Sequence, residues 1–393
     1  MKQNTTYKQT ELGLIPEDWE VKKLGECSSI SGDYGINAPA VKFSEDLPTY
    51  LRITDIDDDG NYSKENKVSV KDDNSESFIL DDEDIVFART GATVGKTYLH
   101  NKKENGDLVF AGFLIRFRTN FDILLPYYLK LYTNTDKYWN WVSVFSMRSG
   151  QPGINSKEYS NLKIPLPPLP EQKKIADCLS TWDSAIEKQN ALINSLTDRK
   201  KALMQQLLTG KKRLPGFSDE WKEVKLGEIS IKKSSTLQAN SLEENNGEFK
   251  VYGASGIVAN IDFYNESEEY IGIVKDGSGV GNLMLCDAKS SVLGTLDIIK
   301  NNKKSNLFFI YLILSKIHFE KYKVGGAIPH IYYRDYSREK INIPSLSEQT
   351  AIAAILATAD RELTLQKEKL AQLQQQKKGL MQVLLTGKKR LIN

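Results

Sequence analysis

The stretch IPLPPLPEQKKIADCLSTWDSAIEKQNALINSLTDRKKALMQQLLTGKKRL fills residues 164–214, and 177 residues later it returns at 341–391 as INIPSLSEQTAIAAILATADRELTLQKEKLAQLQQQKKGLMQVLLTGKKRL. Roughly half the positions are identical, and both copies close on LMQxLLTGKKRL. Shared helical composition does not hold one register over such a length. The chain is therefore an internal duplication, and that period decides the architecture before any single element does.

Outward from these segments the repeat continues. Residues 148–163, RSGQPGINSKEYSNLK, align at the same offset with 325–340, GGAIPHIYYRDYSREK, keeping Pro152/Pro329, Ile154/Ile331 and Tyr159/Tyr336. Further upstream, EDWEVKKLGE ending at Glu26 answers DEWKEVKLGE ending at Glu228, 202 residues on. Between these, GATVG at 91–95 answers GSGVG at 277–281, now 186 residues on. The offset drifts, so the domain interiors have diverged while the helical ends have not. The expected organisation is a globular domain over 1–165, a helix over 166–213, a second domain over 214–343 and a second helix over 344–393.

Along the first helical segment Ile175, Leu179, Trp182, Ile186, Gln189, Ile193, Leu196 and Lys200 alternate spacings of four and three. Along the second, Ile352, Leu356, Ala359, Leu363, Gln366, Leu370, Leu373 and Lys377 do the same. Sustained four-three spacing is the seam of a coiled coil. Gly210 and Gly387 stand where a helix stop wants positive φ. From Ile175 to Leu207 the first seam spans roughly 50 Å at helical rise. Two copies of one module pair most simply about a pseudo-two-fold axis, which makes the helices antiparallel and turns them into a ruler. Two-fold readers of DNA space their half-sites by roughly 34–36 Å, a separation such a ruler spans.

The intervening segments read as mixed α/β. Asp84–Ala88, Leu108–Arg116, Tyr270–Val274 and Gly281–Cys286 look like strands, and Leu124–Tyr132 and Leu307–Ile317 like short helices. No apolar run approaches the length of a membrane span, and Met1–Thr6 lacks the apolar core of an export signal, so a cytoplasmic location without membrane contact is expected. Cys27, Cys178 and Cys286 are too scattered to hold a metal, as are His100, His318 and His330. Residues 1–165 carry 20 basic and 25 acidic side chains, and 214–340 carry 16 and 17. Each helical segment is net +4. Any nucleic-acid face must then be a local basic patch on near-neutral or acidic domains.

Chemistry-bearing motifs are thin. GATVGKT at 91–97 imitates a phosphate-binding loop but is one residue short, with Thr90 where the first glycine belongs. Its counterpart at 277–282 lacks the lysine and hydroxyl. No methyltransferase or nuclease motif stands complete. Two heads on a helical ruler fit a two-site DNA reader, a stand-alone DNA-binding protein, or a scaffold with two protein-binding heads.

One family resembles the whole pattern: the specificity subunits of type I restriction–modification enzymes. The resemblance spans essentially the entire chain. Its carriers are Trp19 with LGE at 24–26, Trp221 with LGE at 226–228, RTGATVG at 89–95, YGASG at 252–256, PLPPLPEQ at 165–172 and the closing LLTG. The second helix start, IPSLSEQ at 343–349, departs mildly from that pattern. The resemblance implies two α/β (mixed α+β) target-recognition domains joined by two long antiparallel coiled-coil helices, each domain reading half of a bipartite site on double-stranded DNA. It implies two modification (methyltransferase) subunits and two restriction subunits as partners. S-adenosylmethionine, ATP and Mg2+ would sit on those partners, leaving this chain without cofactor, metal or catalysis.

Within that frame, Arg and Lys are the natural guanine readers and Asn and Gln the adenine readers. The turn residues Arg89, Thr90, Gly91 and Lys96 come first, answered by Tyr252, Ser255, Lys275 and Ser278. The paired segments holding Arg148, Gln151 and Asn155, and His330, Tyr332 and Arg334, come second.

Overall fold

The computed structural model describes residues 6–148, 150–242 and 247–391. Residues 1–5, which the sequence reads as lacking an export signal, lie outside them. Two compact units emerge: residues 1–189 with 369–393, and residues 190–368.

In the first unit the strands are β1 (Tyr7–Thr10), β2 (Gly13–Pro16), β3 (Glu20–Lys23), β4 (Ser28–Tyr34), β5 (Ala40–Lys42) and β6 (Thr49–Leu51). There follow β7 (Val68–Val70), β8 (Ile85–Ala88), β9 (Thr97–Leu99), β10 (Leu108–Phe110), β11 (Leu114–Thr119) and β12 (Lys163–Leu166). Its short helices are α1 (Lys102–Asn105), α2 (Pro126–Tyr132), α3 (Asp136–Phe145) and α4 (Ser156–Ser160). One sheet runs β4-β11-β8-β9 and a second runs β10-β6-β7-β5, while β3 pairs with β12. β8 is buried along its whole length, as a strand covered on both faces must be. On β11, Phe117 points into the core while Arg116 and Arg118 alternate outward, both reaching the fully buried Asp84.

The continuous strand expected over Leu108–Arg116 is instead two strands. Gly112 donates its backbone N–H to Ile36 and Leu114 donates to Ala111, so the chain turns from one sheet into the other at Phe113. The strand expected from Gly281 starts at Leu283, and the helix expected from Leu124 starts at Pro126, which occupies its first turn.

α5 (Leu169–Leu207) follows, and its second half belongs to the second unit. That unit holds β13 (Lys222–Lys225), β14 (Ser230–Ser234), β15 (Phe249–Gly253), β16 (Gly256–Ile261), β17 (Tyr270–Val274), β18 (Leu283–Cys286) and β19 (Ser291–Val292). It continues with β20 (Leu296–Asn301), α6 (Leu307–Leu314), α7 (Tyr333–Tyr336), β21 (Lys340–Ile343) and α8 (Leu346–Leu384). The main sheet is β14-β20-β17-β18, beside a smaller β16-β15-β19, with β13 on β21. These are the same parts as in the first unit on a reduced second sheet, and the chain is two mixed α/β domains with two 39-residue helices.

Each unit also contains the start of one long helix and the end of the other, and the contacts are reciprocal. In the first, Glu171 at the start of α5 accepts from Arg390 Nε and Nη2 at 2.6 and 2.7 Å. In the second, Glu348 at the start of α8 accepts from Arg213 at 2.8 Å on each oxygen. Further along, Lys377 pairs with Asp183 in the first unit and Lys200 with Asp360 in the second. In both units the pairs run in opposite numerical sense, so the helix segments are antiparallel. The seam lysines read from sequence thus end on carboxylates of the facing helix.

A second duplicated device fixes each helix start. Gln172 accepts from the Leu125 N–H and donates to the Ile123 and Pro167 carbonyls; Gln349 accepts from Asn306 and donates to Lys304 and Pro344. Each buried amide is satisfied at both ends, and each ties a long helix to its own domain. Ile175, Leu179, Met381, Leu384 and Leu385 close one core, and Leu207, Leu208, Ile352 and Leu356 the other. Ile193, Leu196 and Leu363 are buried on the seam as well; Trp182, Ile186, Leu370 and Leu373 are half-buried.

Candidate nucleic-acid interface

In the first unit the hairpin β8–β9 ends in the turn Arg89–Lys96. Ala88 donates to the Lys96 carbonyl and Gly95 to Ala88, closing the hairpin. Gly95 has φ +89°, and a Cβ there would stand 2.7 Å from Val142 of α3, so only glycine lets the helix seat against the turn. Residues 151–155 lie along the turn like a strap. Gly91 donates to the Pro152 carbonyl at 3.0 Å, Ile154 donates to Arg89 at 2.9 Å, and Thr90 bridges Gly153. The two segments that the sequence offers separately, around Arg89 and around Arg148–Asn155, are therefore one surface. They line a shallow cleft of about 240 Å³.

The roles of the residues in it divide. Asn155 caps α4, accepting from the Glu158 N–H, and Arg148 grips both oxygens of Glu158 at 2.6 and 2.7 Å. Both hold the strap's shape. Gln151 and Thr90 leave their side chains at the cleft, with Gln151 exposed. Lys96 turns away, donating toward the Ile56 carbonyl and pairing with Asp58. Arg89 lies over the Tyr34 ring at 4.7 Å, and its N–H donates to the Phe113 carbonyl. Tyr34 and Phe113 were not legible as site residues. They arrive from β4 and from the β10–β11 turn; in the second unit Thr295 takes the place of Phe113, its carbonyl accepting from the Lys275 N–H.

Behind the turn, Lys130 on α2 is buried and donates to the carbonyls of Gly60 and Thr97 at 3.1 and 2.8 Å. Burial lowers its pKa to about 8, against the pull of Asp57 and Asp59. An unfolded lysine keeps its proton to about pH 10.4. Below pH 8 both states are charged and the folded state carries the full desolvation cost. Between about 8 and 10.4 the folded state sheds the proton first, so this group's contribution to stability rises with pH. Relative to Lys130→Met, the wild-type protein should gain on the order of 2 kcal/mol between pH 7.5 and 10. Urea midpoints at the two pH values measure it; a difference between the two proteins that ignores pH contradicts the assignment.

The second unit repeats the interface with other side chains. The hairpin β17–β18 turns over Lys275–Asn282, with Gly281 at φ +91° and Phe319 where Val142 sits in the first unit. Gly277 donates to the Pro329 carbonyl at 3.0 Å and Ile331 to Lys275, giving the same strap. Across it His330 Nδ1 meets Asp276 Oδ1 at 2.7 Å. Lys275 lies 3.6 Å from Asp297, and Arg334 stacks on the exposed Tyr332. Ser278 is exposed on the turn, and Ser255 is exposed on the β15–β16 turn. A Cβ on Gly279 would lie 3.8 Å from Ala254 of that second turn, so the two turns adjoin. Tyr252 instead points into the core, its hydroxyl accepting from the Asp287 N–H.

Charge surrounds the first interface unevenly. Residues 44–84, which carry β6 and β7, hold 14 acidic and four basic side chains. Among the described residues no helix is long and apolar enough to cross a membrane, and no three metal-ligating side chains converge. Burial pushes the Cys27 thiol up to about 11 and Cys286 to about 12, which marks both as packing groups rather than nucleophiles.

The comparisons agree with this duplicated arrangement. A family model described as the type I restriction modification DNA specificity domain matches residues 16–198 and again 218–375. The "Putative type I restriction enzyme MjaX specificity subunit" of Methanocaldococcus jannaschii is 30% identical, over 98% of this chain and 97% of its own. The type I restriction enzyme MjaVIII specificity subunit of the same organism is 28% identical over 96% and 95%. Among solved structures, the S subunit of a type I restriction-modification system from M. genitalium superposes with a TM-score of 0.65 at 16% identity, over 98% of this chain and 97% of that one.

Proposed function

Because the chain belongs to the type I restriction modification DNA specificity family, we propose that it is the sequence-reading subunit of such a system. Each domain reads one half of a bipartite, gapped site on double-stranded DNA. The carrying observation is the interface built twice: one hairpin turn, one strap and one close-approach glycine, with different side chains on each. A duplicated scaffold with divergent readers is what two unlike half-sites require. The acidic stretch at 44–84 repels phosphate and so disfavours a duplex lying over it.

The reading assigns chemistry to partners. This chain directs two modification subunits, which carry S-adenosylmethionine and methylate adenine, and two restriction subunits driven by ATP and Mg2+; it takes no catalytic step and works in the cytoplasm. The outer helix faces, with Leu192, Ile355 and Leu365 exposed, offer the modification subunits a surface independent of the DNA readers.

The test is a genome-wide map of methylated adenine in the source strain and in a deletion of this gene. One gapped motif should vanish in the deletion. Exchanging residues 214–343 for those of another family member should then alter one half of the motif and leave the other intact. An unchanged map, with the modification subunit present and active, would falsify the reading and favour a scaffold.

A further inference from the structure

The first domain contains five arginines, and four are bound to carboxylates. Arg52 is paired with Asp55, Arg116 with Asp33 and Asp84, Arg118 with Asp81 and Asp84, and Arg148 with Glu158. Arg89 alone has no carboxylate among the described residues. Its Nε is buried without an acceptor among the described residues, as is that of Arg116, and no hydrogen bond there engages its two terminal Nη groups. It is nonetheless held in place. The guanidinium lies 4.7 Å over Tyr34, whose hydroxyl in turn accepts from the Ser156 N–H at 3.1 Å. The backbone of Arg89 is fixed on both sides, by Phe113 on one and Ile154 on the other. A pre-oriented planar cation with a free edge, on the wall of a cleft, matches two acceptors lying side by side.

Resting on the reading above, we infer that Arg89 is the specificity-determining residue of the first domain, taking the O6 and N7 edge of one guanine in its half-site, with Tyr34 as positioning residue. Guanidinium to guanine is the pairing that this geometry serves. Phe113, whose carbonyl holds the Arg89 N–H, leaves its own ring 55% accessible. The second domain presents no guanidinium at the equivalent place. Its equivalent cation is Lys275, which has no planar fork and already lies near Asp297, and the neighbouring Asp276 is engaged by His330. The guanine assigned to Arg89 belongs to the half that survives exchange of residues 214–343.

The experiment uses the full chain with its modification subunits. Methylated adenine is mapped in cells carrying wild type, Arg89→Ala, Arg89→Lys and Lys275→Ala. The purified complexes are then titrated with duplexes altered at each position of the motif. Arg89→Ala should make a single G·C pair in the first half degenerate, lowering discrimination there by about 5- to 150-fold while the second half keeps its stringency. Should Arg89→Ala not accumulate, Arg89→Lys retains the charge and should relax the same pair. Lys275→Ala should leave that pair untouched. An unchanged motif in both Arg89 variants overturns the inference, as does a uniform loss of affinity for every duplex, which marks a phosphate contact. A wild-type complex with active modification subunits and no gapped motif defeats the functional reading itself, a result distinct from either.

Discussion

Replacing Glu171 with alanine should cost the first unit about 3–5 kcal/mol, the range for removing one partner of a buried ion pair. The side chain of Glu171 is 3% exposed and that of Arg390 is 7% exposed. The carboxylate also accepts from Trp19 Nε1 at 3.0 Å. Its removal strands an indole N–H and leaves Arg390 only Asp18, which is half in solvent. Hydrogen bonding to Glu171 is the main reason the Arg390 guanidinium is held above its ordinary range. Urea denaturation of the full chain reads the loss as a lower midpoint for the unit containing Trp19. Adding Arg390→Met should recover part of it, since the penalty lies in the uncompensated charge and not in the missing attraction. A loss under 1 kcal/mol, or no relief in the double variant, refutes this account. Glu348→Ala in the second unit should cost less, because Arg213 is 28% exposed and water can replace its partner.

The second contrast sets two equivalent glycines against each other. Gly387 and Gly210 end the two long helices at φ +72° and +69°. Alanine at either meets the left-handed penalty of about 1–2 kcal/mol. At Gly210 the nearest atom to the new methyl is 3.5 Å away, on the Trp221 ring. At Gly387 it would stand 2.3 Å from Pro16 Cδ, and the carbonyl of Gly387 holds the Tyr7 hydroxyl at 3.1 Å. Gly387→Ala must push the β1–β2 hairpin aside and should cost a further 1–3 kcal/mol. Thermal melting of the two variants ranks them. Equal shifts would show that the hairpin yields freely.

How far the sequence carries varies by element. The long helices are legible because the four-three spacing runs for nine turns and then occurs again. The reciprocal ion pairs are not, because Glu171 and Arg390 each look like solvated charges and lie 219 residues apart. Leu108–Arg116 reads as one apolar strand since periodicity does not register the backbone bonds that Gly112 and Leu114 make. At the interface the turns and straps are visible as paired segments, but their contact is not. Arg148 and Asn155 have the right chemistry for bases and are committed to Glu158 instead. Tyr34 and Phe113 carry no local signal, because only the fold brings their strands beside Arg89.

The exchange of helix ends also bears on descent. Every module owns a carboxylate socket where its helix begins and a guanidinium plug just past where it ends, and neither is filled from within the module. An ancestor one module long could satisfy both only by meeting a second copy, plug to socket in each direction. Fusing two such copies head to tail converts a homodimer into a single polypeptide while every one of those contacts persists. Such a fusion releases the halves from identity. The side chains on the two hairpin turns could then part company, as Arg89 and Lys275 have, while the sockets and plugs stayed bound to each other's chemistry.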